Sequence, residues 1–60
     1  MSRLWNLRKG ATVKIVRGTW QNETGVVLEI CARYGVLTLR ISGLDRVERV
    51  PMRACTWSSM

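Results

Sequence analysis

Thr12-Val13-Lys14-Ile15-Val16-Arg17-Gly18-Thr19-Trp20-Gln21-Asn22-Glu23-Thr24-Gly25-Val26-Val27-Leu28-Glu29-Ile30 is the stretch that decides how this chain folds. Over Thr12–Arg17, Val13 and Ile15 point one way while Thr12, Lys14 and Val16 point the other, the period-two pattern of a half-buried strand. Gly18 to Gly25 is polar, bounded by glycines and holds one large aromatic, Trp20, so it reads as a loop joining two strands. Alternation resumes over Val26–Ala32, which predicts Val26, Leu28 and Ile30 inward and Val27 outward.

Further along, the same reading continues. Arg33-Tyr34-Gly35 is a short turn, with Gly35 free to take positive φ. Val36–Ile41 has the clearest alternation in the chain, with Leu37, Leu39 and Ile41 inward and Val36, Thr38 and Arg40 outward. Ser42-Gly43-Leu44-Asp45 supplies the next turn, and Arg46–Val50 returns as a strand with Val50 inward. Pro51 lacks a backbone donor, so that strand ends there or lies on an edge. Met52–Cys55, with Met52 inward, adds a helical turn or a short fifth strand before a loose stretch from Thr56. Turn signals recurring every ~8–12 residues, with no helical period, are an all-β signature. Five short strands in 60 residues close into a small barrel, which leaves few bare edges.

Composition bounds the rest. A chain of 60 residues has material for one small core. Hydrophobic residues at 47% are enough to fold it, yet no apolar run approaches the ~20 residues a bilayer-spanning helix needs. The opening Met1–Lys9 carries charges with no apolar segment behind them, so the expectation is a cytoplasmic protein without a signal peptide or membrane contact. Cys31 and Cys55 are too few for a disulfide scaffold, lack metal-ligand spacing and have no histidine beside them. They read as two thiols, one of them buried, and a single bridge between them stays open. No cofactor or metal is expected.

Ten Lys plus Arg against four Asp plus Glu give a net charge of +6. That field attracts polyanions, and only Lys9 and Lys14 are lysine, so most of the cations have the fork that grips phosphate. Catalysis finds little support: no histidine, no paired carboxylates, no phosphate loop, and no nucleophile with a base near it in sequence.

The segment Val13–Ile30, an alternating strand, a glycine, an aromatic in a short loop, a second glycine and another alternating strand, resembles a KOW motif. Gly18 starts a tight bend, and Gly25 lets the returning strand bend or pass close to neighbouring backbone. The spacing from Gly25 through Ile41-Ser42-Gly43 to Val50 and Met52 is similar to that of the NusG carboxy-terminal domain, and the resemblance covers about residues 9 to 57. It implies an SH3-like five-stranded barrel over residues 10–57, a basic arm over 1–9 and a tail over 58–60. In that family the module recruits a second partner to RNA polymerase, either a small-subunit ribosomal protein or the termination factor Rho. Carried onto this chain, the contacts fall on Trp20 and Glu23 in the first loop and on Ile41, Ser42 and Leu44 after the third strand. Trp20 and Ile41 keep the family's aromatic and aliphatic. Glu23 and Ser42 stand where aromatics are common, and Leu44 stands where the family has a basic residue.

With Met1 taken as the start, the module is expected to lack the family's polymerase-binding domain. The expectation is therefore a free-standing KOW protein, phage-, plasmid- or accessory-encoded, acting in transcription regulation such as antitermination or at the ribosome. The preferred function is a non-catalytic module that contacts RNA or a nucleoprotein complex, RNA polymerase or ribosome. Its alternative is a protein-only module that inhibits or assembles a partner with an acidic surface. A dihydrofolate reductase family builds an enzyme from several SH3-like barrels, but its characteristic Val-Gln-Ile-Tyr strand does not occur here.

Trp20 is either an exposed contact or a lid over one barrel end. Trp5 and Trp57 either stack on bases or pin the chain ends to the barrel. Arg8, Lys9, Lys14, Arg17, Arg33 and Arg40, with Arg3, are the candidate nucleic-acid contacts, Lys14 and Arg40 being the preferred pair. Arg46, Arg49 and Arg53 alternate with Val and Met near an edge, and their expected role is to keep that edge from pairing with another chain.

Overall fold

In the computed structural model, which describes residues 7–58, period-two segments become strands where the sequence alternates. They are β1 Thr12–Ile15, β2 Thr24–Cys31, β3 Val36–Ile41, β4 Arg46–Pro51 and β5 Cys55–Trp57, with a 3-10 turn over Met52–Ala54 between β4 and β5. All neighbours are antiparallel, in the order β4-β3-β2-β1-β5.

Every strand sends side chains into one core. Val13 and Ile15 come from β1, Val27 from β2, Leu37, Leu39 and Ile41 from β3, Val50 from β4 and Cys55 from β5, with Ala54 from the 3-10 turn. Among the described residues no second layer covers this sheet, so a single sheet hides those side chains only by curling round on itself, which makes the small barrel. The Met52–Ala54 turn completes the wrap. Met52 N–H donates to Gly35 C=O at 2.7 Å, and Val16 N–H donates to Ala54 C=O at 2.7 Å, tying both ends of the turn to distant strands.

The face assignment for β1, β3 and β4 holds, and for the middle of β2 it does not. Val27 pairs with Leu39 but Glu29 pairs with Thr38, leaving Leu28 as an extra residue opposite no partner. Such a bulge shifts the phase of everything beyond it by one residue. Gly25 and Val27 therefore face the core before the bulge and Ile30 faces it after. Val27, expected outward, is 1% exposed, while Leu28, expected inward, is 37% exposed. Val26, also expected inward, is only partly covered.

Other boundaries differ by small amounts. β1 stops at Ile15 rather than Arg17, and β2 starts at Thr24 rather than Val26. Met52–Cys55 proves to be a helical turn that runs straight into a strand, so Thr56 and Trp57, expected in a loose stretch, are laddered to Lys14 and Val13. Pro51 ends β4, which is an edge strand, where its missing donor costs nothing.

Gly25 faces the core where a side chain would not fit. A Cβ there would lie 3.1 Å from Leu39 Cβ and 3.1 Å from the Arg40 carbonyl oxygen, the close backbone approach expected of this glycine.

Candidate functional site

The β1–β2 loop folds back by consecutive tight turns. Gly18 takes φ 88°, Gln21 N–H donates to Gly18 C=O at 3.1 Å, and Glu23 N–H donates to Trp20 C=O at 3.0 Å. Asn22, at φ 76°, donates its N–H to Ile15 C=O at 2.7 Å, so the loop is anchored to the end of β1. Asparagine tolerates that left-handed conformation better than most side chains. The loop therefore leans its one aromatic over the barrel end, where Trp20 is partly buried and packs on the core.

Trp20 is thus both lid and surface. The guanidinium of Arg46 lies 5.2 Å from its ring centroid, and the same group pairs with Glu48 at 3.0 Å. Arg46 sits opposite Ile41 and Glu48 opposite Leu39, on the core-facing side of β4. They stand at the barrel mouth, Glu48 half-buried and Arg46 largely exposed over the indole. Arg46 is accordingly tied to Trp20, a role that differs from simple edge protection.

The β3–β4 turn comes to this same end. Ser42 N–H donates to Thr24 C=O at 2.8 Å beside the loop, and Leu44 N–H donates to Ile41 C=O at 3.3 Å across the turn. Trp20, Glu23, Ser42 and Leu44 are therefore neighbours at one pole of the barrel. Ile41 is the exception among the expected contacts: it is 1% exposed, so its side chain is spent inside. The turn presents Leu44 instead, at 45% exposure.

The candidate cations do not form one surface. Lys14 and Arg40 share the outer face, separated by β2, with Lys14 opposite Thr24 and Arg40 opposite Val26. Arg40 pairs with Asp45 at 3.1 Å and Lys9 with Glu29 at 3.0 Å, so part of their charge is answered within the chain. Arg33 sits at the far pole, in the β2–β3 turn, 5.6 Å from the Tyr34 ring centroid. Arg8 is exposed just before β1. Trp57 stands across from Val13 in the β1–β5 ladder and is 36% exposed. Arg3 and Trp5 lie outside the described residues.

A groove missed in the sequence reading runs between the β1–β2 loop and the corner where β4 enters the 3-10 turn. It measures about 330 Å³; Ile15, Val50 and Ala54 form its apolar floor, and Arg17, Trp20, Arg49 and Arg53 its walls. Arg17 was expected to bind and Arg49 and Arg53 were not. Their convergence leaves no local mark, because barrel closure alone brings them together.

Among the described residues no group of three or more His, Cys, Asp or Glu is placed to hold a metal ion. No helix there is long and apolar enough to cross a membrane.

No protein-family model and no curated protein matches the chain. Among solved structures, one chain of the crystal structure of the MjSpt4:Spt5 complex in conformation B is similar to it, with a TM-score of 0.78 and 21% identity. That match covers 92% of this chain and 39% of the other, so this chain spans well under half the length of its structural neighbour. At this identity the likeness shows the fold alone, an all-β five-stranded sheet consistent with a small SH3-like barrel.

Proposed function

We propose that this protein is a non-catalytic KOW-type binding module that acts on the transcription or translation machinery, docking through the Trp20 pole of its barrel. One observation carries the reading. The β1–β2 loop and the β3–β4 turn, far apart in sequence, present Trp20, Glu23, Ser42 and Leu44 together, with the outward cations Lys14 and Arg40 nearby. Exposed apolar side chains rimmed by charge are what a protein or nucleoprotein partner covers. The structural neighbour belongs to a complex named for two proteins, which supports protein contact as one part of that docking. The excess positive charge supports RNA as the other.

The test uses a triple variant of exposed residues, Leu44→Asp with Lys14→Glu and Arg40→Glu, whose fold is checked by circular dichroism. Binding of the unaltered chain and of the variant to immobilised RNA polymerase, ribosomes and RNA is then compared. Loss of binding to at least one of the three is expected; unchanged binding to all three means that this pole is not the docking surface.

A protein-only inhibitor or assembly factor is the second reading, favoured by the exposed Leu44. Titration with generic RNA and DNA at several salt concentrations separates the two, a flat response favouring the second.

A further inference from the structure

We propose that the arginine-walled groove is a phosphodiester site that takes a short segment of single-stranded nucleic acid, with Arg17, Arg49 and Arg53 on the phosphates and Trp20 against a base. This goes beyond the docking pole described above, and it assigns a ligand to two arginines otherwise read as edge protection.

The first support is charge without an answer. Three arginines line one groove, Arg49 at its outer rim, and none of the ion pairs among the described residues involves them. No Asp or Glu lines the groove either. Like charges brought together without counter-charge raise the local potential and recruit an anion.

The second support is the scaffold. Arg49 lies on β4 and Arg53 in the 3-10 turn just past Pro51, whose φ of −60° and ψ of 141° carry the chain round the corner. Arg17 follows the end of β1 on the opposite wall, and the Val16 N–H to Ala54 C=O bond fastens the two walls together at 2.7 Å. The guanidinium groups thus stand on laddered or tethered backbone, which lowers the ordering cost of binding.

The third is chemistry. A guanidinium matches phosphate with two parallel N–H donors, and a run of phosphates needs several such forks in a row. The apolar floor and the indole supply what the charged walls lack, a surface for a base. Arg46 lies over the Trp20 ring, and Trp20 also lines the groove. Base stacking on an aromatic beside arginine is the usual way a single strand is held without sequence preference. A groove of about 330 Å³ is at the small end of ligand sites, which suits one nucleotide unit at a time and not a duplex. An acidic peptide would use the arginines but leave the indole and the floor unexplained.

The experiment is fluorescence anisotropy with labelled single-stranded RNA and DNA of about eight nucleotides, a blunt RNA duplex and a poly-glutamate peptide, each over a salt series. Single strands should bind most tightly. The double variant Arg49→Gln with Arg53→Gln should weaken them about tenfold or more and flatten the salt dependence by about one unit of slope or more. Arg17→Gln alone should weaken binding in the same direction, which serves if the double variant fails to fold. Val47→Ala, at an exposed residue in neither the pole nor the groove, should leave single-strand affinity unchanged, and binding of the groove variants to immobilised RNA polymerase and ribosomes, measured alongside, separates failure of this assignment from failure of the docking pole. Unchanged affinity in the groove variants, tighter binding of duplex, or tighter binding of poly-glutamate would each overturn the assignment.

Discussion

The Arg46 guanidinium stacks on Trp20 with 5.2 Å between its central carbon and the ring centroid, while its Nη2 holds Glu48 Oε2 at 3.0 Å. This pair joins the β1–β2 loop to β4 across the barrel mouth, and no backbone hydrogen bond among those described does the same. The loop is held from below by Ile15 and from the side by this stack.

Replacing Arg46 by Ala should therefore loosen the loop more than it loosens the barrel. A cation over an exposed ring contributes about 0.5–1 kcal/mol, so global stability in a denaturant melt should fall by about that much. Amide exchange should accelerate first at Gln21 and Glu23, whose N–H groups close the loop turns. Equal acceleration across the core strands would contradict a local role for the stack.

Gly25→Ala and Gly18→Ala should both destabilise, for different reasons. At Gly25 the new Cβ meets Leu39 Cβ and the Arg40 carbonyl oxygen, both at 3.1 Å and both held by β3, which is paired on either side, so overpacking of about 1–3 kcal/mol is expected. At Gly18 there is open space but φ is 88°, and the cost, about 1–2 kcal/mol, is the left-handed strain of an L side chain. Gly18→Asn should recover part of the Gly18→Ala loss, since asparagine tolerates the left-handed region, whereas Gly25→Asn should cost at least as much as Gly25→Ala. Recovery at both positions in denaturant melts would contradict the close approach.

The bulge at Leu28 makes a prediction that inverts the simple alternation. Val27→Ala should cost about 1–3 kcal/mol, since it empties core volume. Leu28→Ala, at a site more than a third exposed, should cost under about 1 kcal/mol. Thermal melts of the two variants settle the order.

Cys55 provides a pH test. It is buried, its Sγ lies 3.6 Å from the Pro51 carbonyl oxygen, and burial pushes its pKa up. The folded chain therefore holds the thiol proton more tightly than the unfolded one. Its contribution is fully present below the ordinary thiol pKa and is lost as pH rises through that value and beyond. The stability difference between the protein and Cys55→Val should be constant near neutral pH and shift in favour of the variant in alkali. A parallel pH dependence of the two would contradict the burial. In the folded protein a thiol reagent should modify the partly exposed Cys31 before Cys55.

Much of this molecule is written in short-range pattern. Period two with glycine-marked turns names the strands, because a half-buried strand needs only that neighbouring residues face opposite ways. The inward faces of β1 and β3 and the inward Val50 follow directly, as does the small close-packing role of Gly25. The run Val26-Val27-Leu28 is apolar throughout, so alternation carries no phase there. Only the ladder with β3 selects Val27 for the core, by setting Leu28 aside as a bulge.

The candidate site was legible in part. Trp20 stands out as an aromatic in a polar loop, and Ser42 and Leu44 as a turn. The burial of Ile41, the stack of Arg46 on the indole and the groove shared by Arg17, Arg49 and Arg53 belong to the tertiary structure. Local sequence determines which way each side chain leaves its own strand; the curling of one sheet into a barrel determines which side chains from distant strands then share a space.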